Sequence, residues 1–213
     1  MKNFRIRAFI CCVLVLSMIA FTMAPVYAEG EKGSGTTLCC EVYVVSTQAG
    51  SGSGSSGGYG HSFIIVYNVS SSSIIVGHMA VPAGGSVTLG AFGNRSTHYG
   101  IWYNIEGCYQ ISGISLFTAL TQSELSTMNA TINSGDYYNA LFHNCAHFAA
   151  DVWNSVASSA YHISGGTPSA LYTSINSKTG ASTSFPNPIK TASDIAYQAS
   201  SGVSYCPAGY YAH

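Results

Sequence analysis

The stretch His143-Asn144-Cys145-Ala146-His147-Phe148-Ala149-Ala150-Asp151-Val152-Trp153-Asn154-Ser155-Val156 reads as a helix that begins at a cysteine. Asn144 is a good N-cap, because its side-chain oxygen can accept from the unpaired N–H groups of the first turn, and the sequence that follows is rich in alanine and free of glycine. Cys145 then takes the first helical position. At about 100° per residue, Cys145, Ala149, Val152 and Val156 fall on one narrow stripe, the stripe a helix buries against a sheet. The thiol therefore points inward. The positive end of the helix favours thiolate over thiol, and thiolate is the nucleophile. The same N–H groups suit an oxyanion that forms beside the sulfur. Most free cysteines are simply small buried hydrophobes, so a functional reading needs a partner histidine elsewhere in the chain.

Such a histidine leads the segment Gly60-His61-Ser62-Phe63-Ile64-Ile65-Val66-Tyr67-Asn68, which has the composition of a strand. Asn68 and the serines at 70–73 supply a turn, and residues 74–81 return as the next strand. With the turn centred between Val69 and Ser70, His61 and His78 lie directly opposite one another on one face, so one imidazole could orient the other. His98 and Glu106 are further polar candidates for that orienting role. Glu106 ends an apolar, aromatic strand over 100–106, where an unpaired buried carboxylate is costly unless it faces water. Strands are also expected over 41–47 and 86–92. Thr121 with Glu124 three residues on makes a capping box opening a helix to about residue 132, and Thr167-Pro168-Ser169 starts a short helix to about residue 175. These elements predict an α+β fold in which an antiparallel sheet packs against the cysteine-bearing helix. The Gly/Ser run at 49–58 reads as a surface loop, and the segment after residue 176 as Ser/Thr-rich coil.

The first 28 residues read as a signal peptide, with Lys2, Arg5 and Arg7 ahead of an apolar run and Ala28 at the cleavage position. Cys11 and Cys12 lie within the apolar run, which argues against a lipid-anchored cysteine. The remaining 185 of 213 residues suffice for one domain, 29–213, with its core over about 41–176. No later stretch reaches 18 apolar residues, so no integral membrane segment is expected after signal removal. Lys32, Arg95, Lys178 and Lys190 then face eight acidic residues, a net charge of −4. No basic stripe is present, and nucleic acid is not an expected partner.

Five cysteines remain after the signal: Cys39, Cys40, Cys108, Cys145 and Cys206. An odd count in an exported chain leaves at least one thiol outside intrachain disulfides. With Cys145 reactive, the other four could form two disulfides tying the N-terminal strand, the middle and the C-terminal tail together, in a pairing the sequence does not specify. No metal or other cofactor is expected. His147 lies about 200° round the helix from Cys145, Asp151 projects the same way, and the chain has no Cys-x-x-Cys pair.

A strand carrying Gly60-His61-Ser62-Phe63-Ile64-Ile65-Val66, followed far downstream by a helix opening Asn144-Cys145-Ala146-His147-Phe148, resembles the circularly permuted papain-like thiol enzymes. These include the lecithin:retinol acyltransferase-like proteins and the permuted NlpC-type bacterial hydrolases. In that group the histidine precedes the cysteine in the chain, the reverse of papain. The resemblance spans roughly residues 61–156. It implies Cys145 as nucleophile, His61 as its base and His78 in the place of the polar third member. It further implies a cysteine peptidase or amidase that passes through an acyl-enzyme, and with the export expected from the signal peptide this reads as a secreted bacterial enzyme with an extracellular peptide, peptidoglycan or acyl group as substrate. An acyltransferase or lipid-directed thiol enzyme is the alternative chemistry. A catalytically inactive secreted binding module of the same fold is the alternative of a different class.

Overall fold

The computed structural model describes residues 36–48, 60–93, 100–109, 111–134, 143–199 and 202–206. The expected signal peptide, the loop at 49–58 and His98 lie outside the described residues. Among the described residues the fold is α+β, with an antiparallel sheet and three α-helices. Its strands are β1 (Leu38–Ser46), β2 (Ser62–Asn68), β5 (Ser86–Phe92), β6 (Gly100–Tyr103), β7 (Ile114–Thr121), β8 (Ala196–Ala199) and β9 (Gly202–Tyr205), in the order β7-β1-β2-β5-β6-β8-β9. Two short strands, β3 (Ile74–Val76) and β4 (Met79–Val81), pair only with each other.

The helices form where their caps are. In α1 (Gln122–Ser134) the Glu124 carboxylate accepts from the Thr121 N–H at 2.7 Å, and the Glu124 N–H donates back to the Thr121 hydroxyl at 3.3 Å. In α2 (Cys145–Asn154) the Asn144 Oδ1 accepts from the N–H groups of Ala146 and His147. In α3 (Pro168–Asn176) Thr167 caps and Pro168 opens the first turn, where its missing N–H costs nothing.

All three helices lie on one face of the sheet. There Val42 and Val44 of β1, Ile64 and Val66 of β2, and Leu116 and Leu120 of β7 meet Ala149, Val152 and Trp153 of α2, with Leu125 and Met128 of α1 and Leu171 of α3 in the same cluster. The other face carries Val45, Phe63, Ile65 and Ile111, flanked by the partly buried rings of Tyr43, Tyr67, Tyr109 and Phe185. Beyond β6, Phe92, Trp102, Ile105, Ile195 and Cys206 make a third cluster.

The structure departs from the sequence-based expectations at three places. Residues 74–81 do not return as one strand beside β2. They fold back on themselves at Gly77-His78, where Gly77 takes a left-handed φ of 58° and donates its N–H to Asn129 Oδ1 of α1. The neighbours of β2 are instead β1, with Val44 opposite Ile64, and β5, with Leu89 opposite Ile64. The strand expected over 100–106 ends at Tyr103, because Asn104 turns to a φ of 67° and Glu106 opens a short 3-10 turn, Glu106–Cys108. Finally, β7, β8 and β9 were not foreseen. β7 is buried on both faces over most of its length, so its sequence lacks alternation, and β8 and β9 are only four residues each.

The cysteines fall into separate environments. Cys39 and Cys40 sit together at the start of β1 in the helix-side core, their sulfurs 3.8 Å apart. Cys206, with Cys108 packed against it, belongs to the third cluster. Disulfides tying the N-terminal strand to the middle or to the tail would therefore have to bridge two distinct clusters.

Candidate active site

The site lies where the first turn of α2 meets the start of β2. Cys145 is the first residue of its helix, and Asn144 fixes that turn from both sides: its Oδ1 takes two backbone N–H groups, and its Nδ2 donates to the Gly166 carbonyl at 2.8 Å. His61 immediately precedes β2. Gly60, at a φ of 78°, bends the chain into it. Its backbone is clamped to the end of β1, with the His61 N–H donating to Thr47 Oγ1 at 2.7 Å and the Thr47 N–H donating to the His61 carbonyl at 2.9 Å.

The ring of His61 is buried, at 4 % exposure, between Phe63 (centroids 5.7 Å apart, planes at 11°) and Phe92 (4.5 Å, 36°). The strand registers explain Phe92: with Ile64 opposite Leu89, counting back along β2 and forward along β5 sets it beside His61. The imidazole Nε2 lies 2.9 Å from Glu106 Oε1. Glu106 is fully buried, and its second oxygen accepts from the Thr88 hydroxyl at 2.7 Å. With the carboxylate as the acceptor Nε2 carries the proton, which leaves Nδ1 for the sulfur of Cys145.

Cys145 and His61 share a side-chain hydrogen bond, and each shifts the other. Burial works against the thiolate. The charge of His61, its hydrogen bond and the backbone N–H groups of Ser62 and Ala146 outweigh that penalty, and the thiol is held below its ordinary value. Burial likewise opposes a charged His61, but the Cys145 sulfur and the Glu106 carboxylate together push its pKa up to about 9. The arrangement therefore favours a thiolate beside an imidazolium.

Gly90 of β5 is part of this geometry. A Cβ there would run into Glu106 Oε1 and come within 2.8 Å of His61 Nε2. Only glycine lets the carboxylate and the ring meet over this strand.

The structure thus brings together Cys145, His61 and Glu106 from the three expected regions. It does not bring His78 to them. His78 sits in the β3–β4 turn, its N–H donating to the Tyr103 hydroxyl at 3.0 Å and its Nδ1 lying 3.3 Å from the Gly202 carbonyl. The opposition of His61 and His78 fails because it required β3 to pair with β2, and the glycine turn at Gly77 prevents that. Glu106 takes the orienting position instead of facing water, since Asn104 swings it under His61. Thr88, Gly90 and the Ser62 N–H went unrecognised. A hydroxyl, a glycine and a backbone group carry no chemical signature in sequence until the strands are in register. His147 faces away from the sulfur, with Nδ1 3.2 Å from Asn144 Oδ1.

No family model, curated protein or solved structure matches the chain. Among the described residues, no helix is long and apolar enough to cross a membrane.

Proposed function

We propose that the chain is a secreted cysteine hydrolase that cleaves a peptide or amide bond, with cell-wall peptidoglycan among its candidate substrates, and that its fold is the circularly permuted papain-like one. The observation that carries this reading is the line Cys145–His61–Glu106 at the start of a capped helix, its imidazole and carboxylate buried and its thiol half-buried, with the thiol pulled below and the imidazole above its ordinary pKa. Buried, mutually perturbed titratable groups of this kind are the pattern expected of a nucleophile and its base.

In the proposed reaction the Cys145 thiolate attacks the carbonyl carbon, a C–S bond forms, and the carbonyl oxygen takes the negative charge at the positive end of α2. The imidazolium of His61 gives its Nδ1 proton to the leaving nitrogen as the C–N bond breaks. Neutral His61 then takes a proton from water, whose oxygen attacks the acyl-enzyme. Collapse releases the carboxylic acid and restores the thiolate–imidazolium pair. Glu106 accepts from Nε2–H throughout, so that Nδ1 faces the sulfur.

The test is alkylation of the mature protein by iodoacetamide from pH 5 to 9, with mass mapping of the modified cysteine, on wild type and on His61→Ala. Rapid labelling of Cys145 at acidic to neutral pH that the substitution abolishes is the expected result. Labelling of Cys145 only near pH 9, alike in both proteins, would overturn the reading and favour an inactive binding module.

A further inference from the structure

A cavity of about 100 Å³ opens on the flank of the cysteine helix, between α2 and α1. Its floor is apolar, made by the buried side chains of Ala91, Phe148 and Val152. Its polar groups are Thr131 and Ser134 from α1 and Asp151 from α2, while His143, two residues ahead of Cys145, stands at the rim.

The hydrogen-bonding capacity of α1 and Asp151 is one-sided. The single hydroxyl proton of Thr131 goes to the Thr127 carbonyl, and that of Ser134 to the Thr131 carbonyl at 2.9 Å. Both hydroxyls therefore offer only lone pairs to a ligand. The Asp151 carboxylate is exposed and has no hydrogen bond or ion pair among the described residues. Of the described lysines, Lys178 donates to the Ala160 carbonyl and Lys190 to the Ser86 carbonyl, so neither neutralises it.

Acceptors above an apolar floor fit an aliphatic stem ending in a cation with several N–H donors. A primary ammonium has that form, with three donors and no acceptor. The spacing also fits. Asp151 lies six residues beyond Cys145, about 9 Å along the helix axis. That is comparable to an extended lysine side chain together with the carbonyl carbon it accompanies. Phe148 lies between Cys145 and Asp151 round the helix and forms the wall along which such a stem would run.

We propose that this cavity is the subsite for a primary ammonium on a four-carbon stem, carried by the residue whose carbonyl meets Cys145. The inference rests on the thiol-hydrolase reading above. Asp151 is then the residue that sets specificity.

The test uses chloromethyl ketones, in which the Cys145 sulfur forms a C–S bond and chloride leaves with its bonding electrons. The lysyl reagent is compared with the norleucyl one, which keeps a four-carbon side chain and lacks the ammonium, and iodoacetamide on wild type reports the intrinsic reactivity of the thiol. The lysyl reagent should label Cys145 about two- to fivefold faster, the upper part of the range for an ion pair at an exposed carboxylate. The ratio should fall to about one in Asp151→Asn and persist in Asp151→Glu, as expected if the carboxylate charge sets it. Rapid iodoacetamide labelling with equal lysyl and norleucyl rates, or a ratio that survives in Asp151→Asn, would overturn the subsite while leaving the hydrolase reading intact. Failure of iodoacetamide itself to label Cys145 would bring down both.

Discussion

Replacing Glu106 by Gln tests the site at its most buried point. The substitution keeps the shape and can still accept from His61 Nε2–H at the 2.9 Å position, while its amide group faces the Thr88 hydroxyl oxygen. What is lost is the charge. A hydrogen bond to a charged group contributes roughly 1.5–3 kcal/mol and a neutral one about 1 kcal/mol, so the imidazolium loses on the order of 0.5–2 kcal/mol. At about 1.4 kcal/mol per pH unit, the His61 midpoint should fall from about 9 by roughly one pH unit. Titration of the His61 ring nitrogens by 15N NMR measures this directly. Cys145→Ser is the companion variant. The sulfur raises His61 more than Glu106 does, so its removal should lower the midpoint further. A midpoint still near 9 in Glu106→Gln would refute the claim that the carboxylate charge helps to hold the imidazolium, and a larger fall in Glu106→Gln than in Cys145→Ser would reverse the assigned order.

The same shifts fix a stability profile. The raised pKa of His61 gives stabilisation present below 6.5 and lost as pH rises to about 9, whereas the lowered pKa of Cys145 gives stabilisation present above 9.0 and lost as pH falls through the folded thiol's value. Where both ranges overlap the two effects oppose one another, because folding then moves a proton from thiol to imidazole. As pH falls through the folded thiol's value the Cys145 contribution is lost, at most about 1.4 kcal/mol per pH unit, a loss that urea unfolding should detect in wild type and that Cys145→Ser should lack. Gly90→Ala, which drives a methyl group into Glu106 and His61, should destabilise by about 1–3 kcal/mol and slow iodoacetamide labelling of Cys145; thermal denaturation and labelling both unchanged would show that strand to be looser than described. Asn144→Ala removes the cap of α2 and its tie to Gly166, with an expected loss of about 1–2 kcal/mol in chemical denaturation. His78→Ala should leave the pH profile of Cys145 labelling in place, because its imidazole meets the Gly202 carbonyl and not His61; a profile that shifts as in His61→Ala would restore the discarded role.

What the sequence by itself determined is local. Asn144 before Cys145, Thr121 with Glu124, and Thr167-Pro168 each announce a helix start within a few residues, because a cap is a contact between chain neighbours. The apolar run behind His61 announces a strand, and together these were enough to nominate Cys145 and His61. What joined them was decided only by tertiary structure. Directly opposed side chains follow from strand partners and register, and these depend on contacts between segments far apart in the chain. Glu106 is 45 residues from His61 and meets it only because β5 separates β2 from β6, Gly90 leaves the gap, and Asn104 turns the chain beneath the ring. His78, 17 residues away and also an imidazole, was the nearer candidate by sequence, and a single left-handed glycine beside it sends it elsewhere.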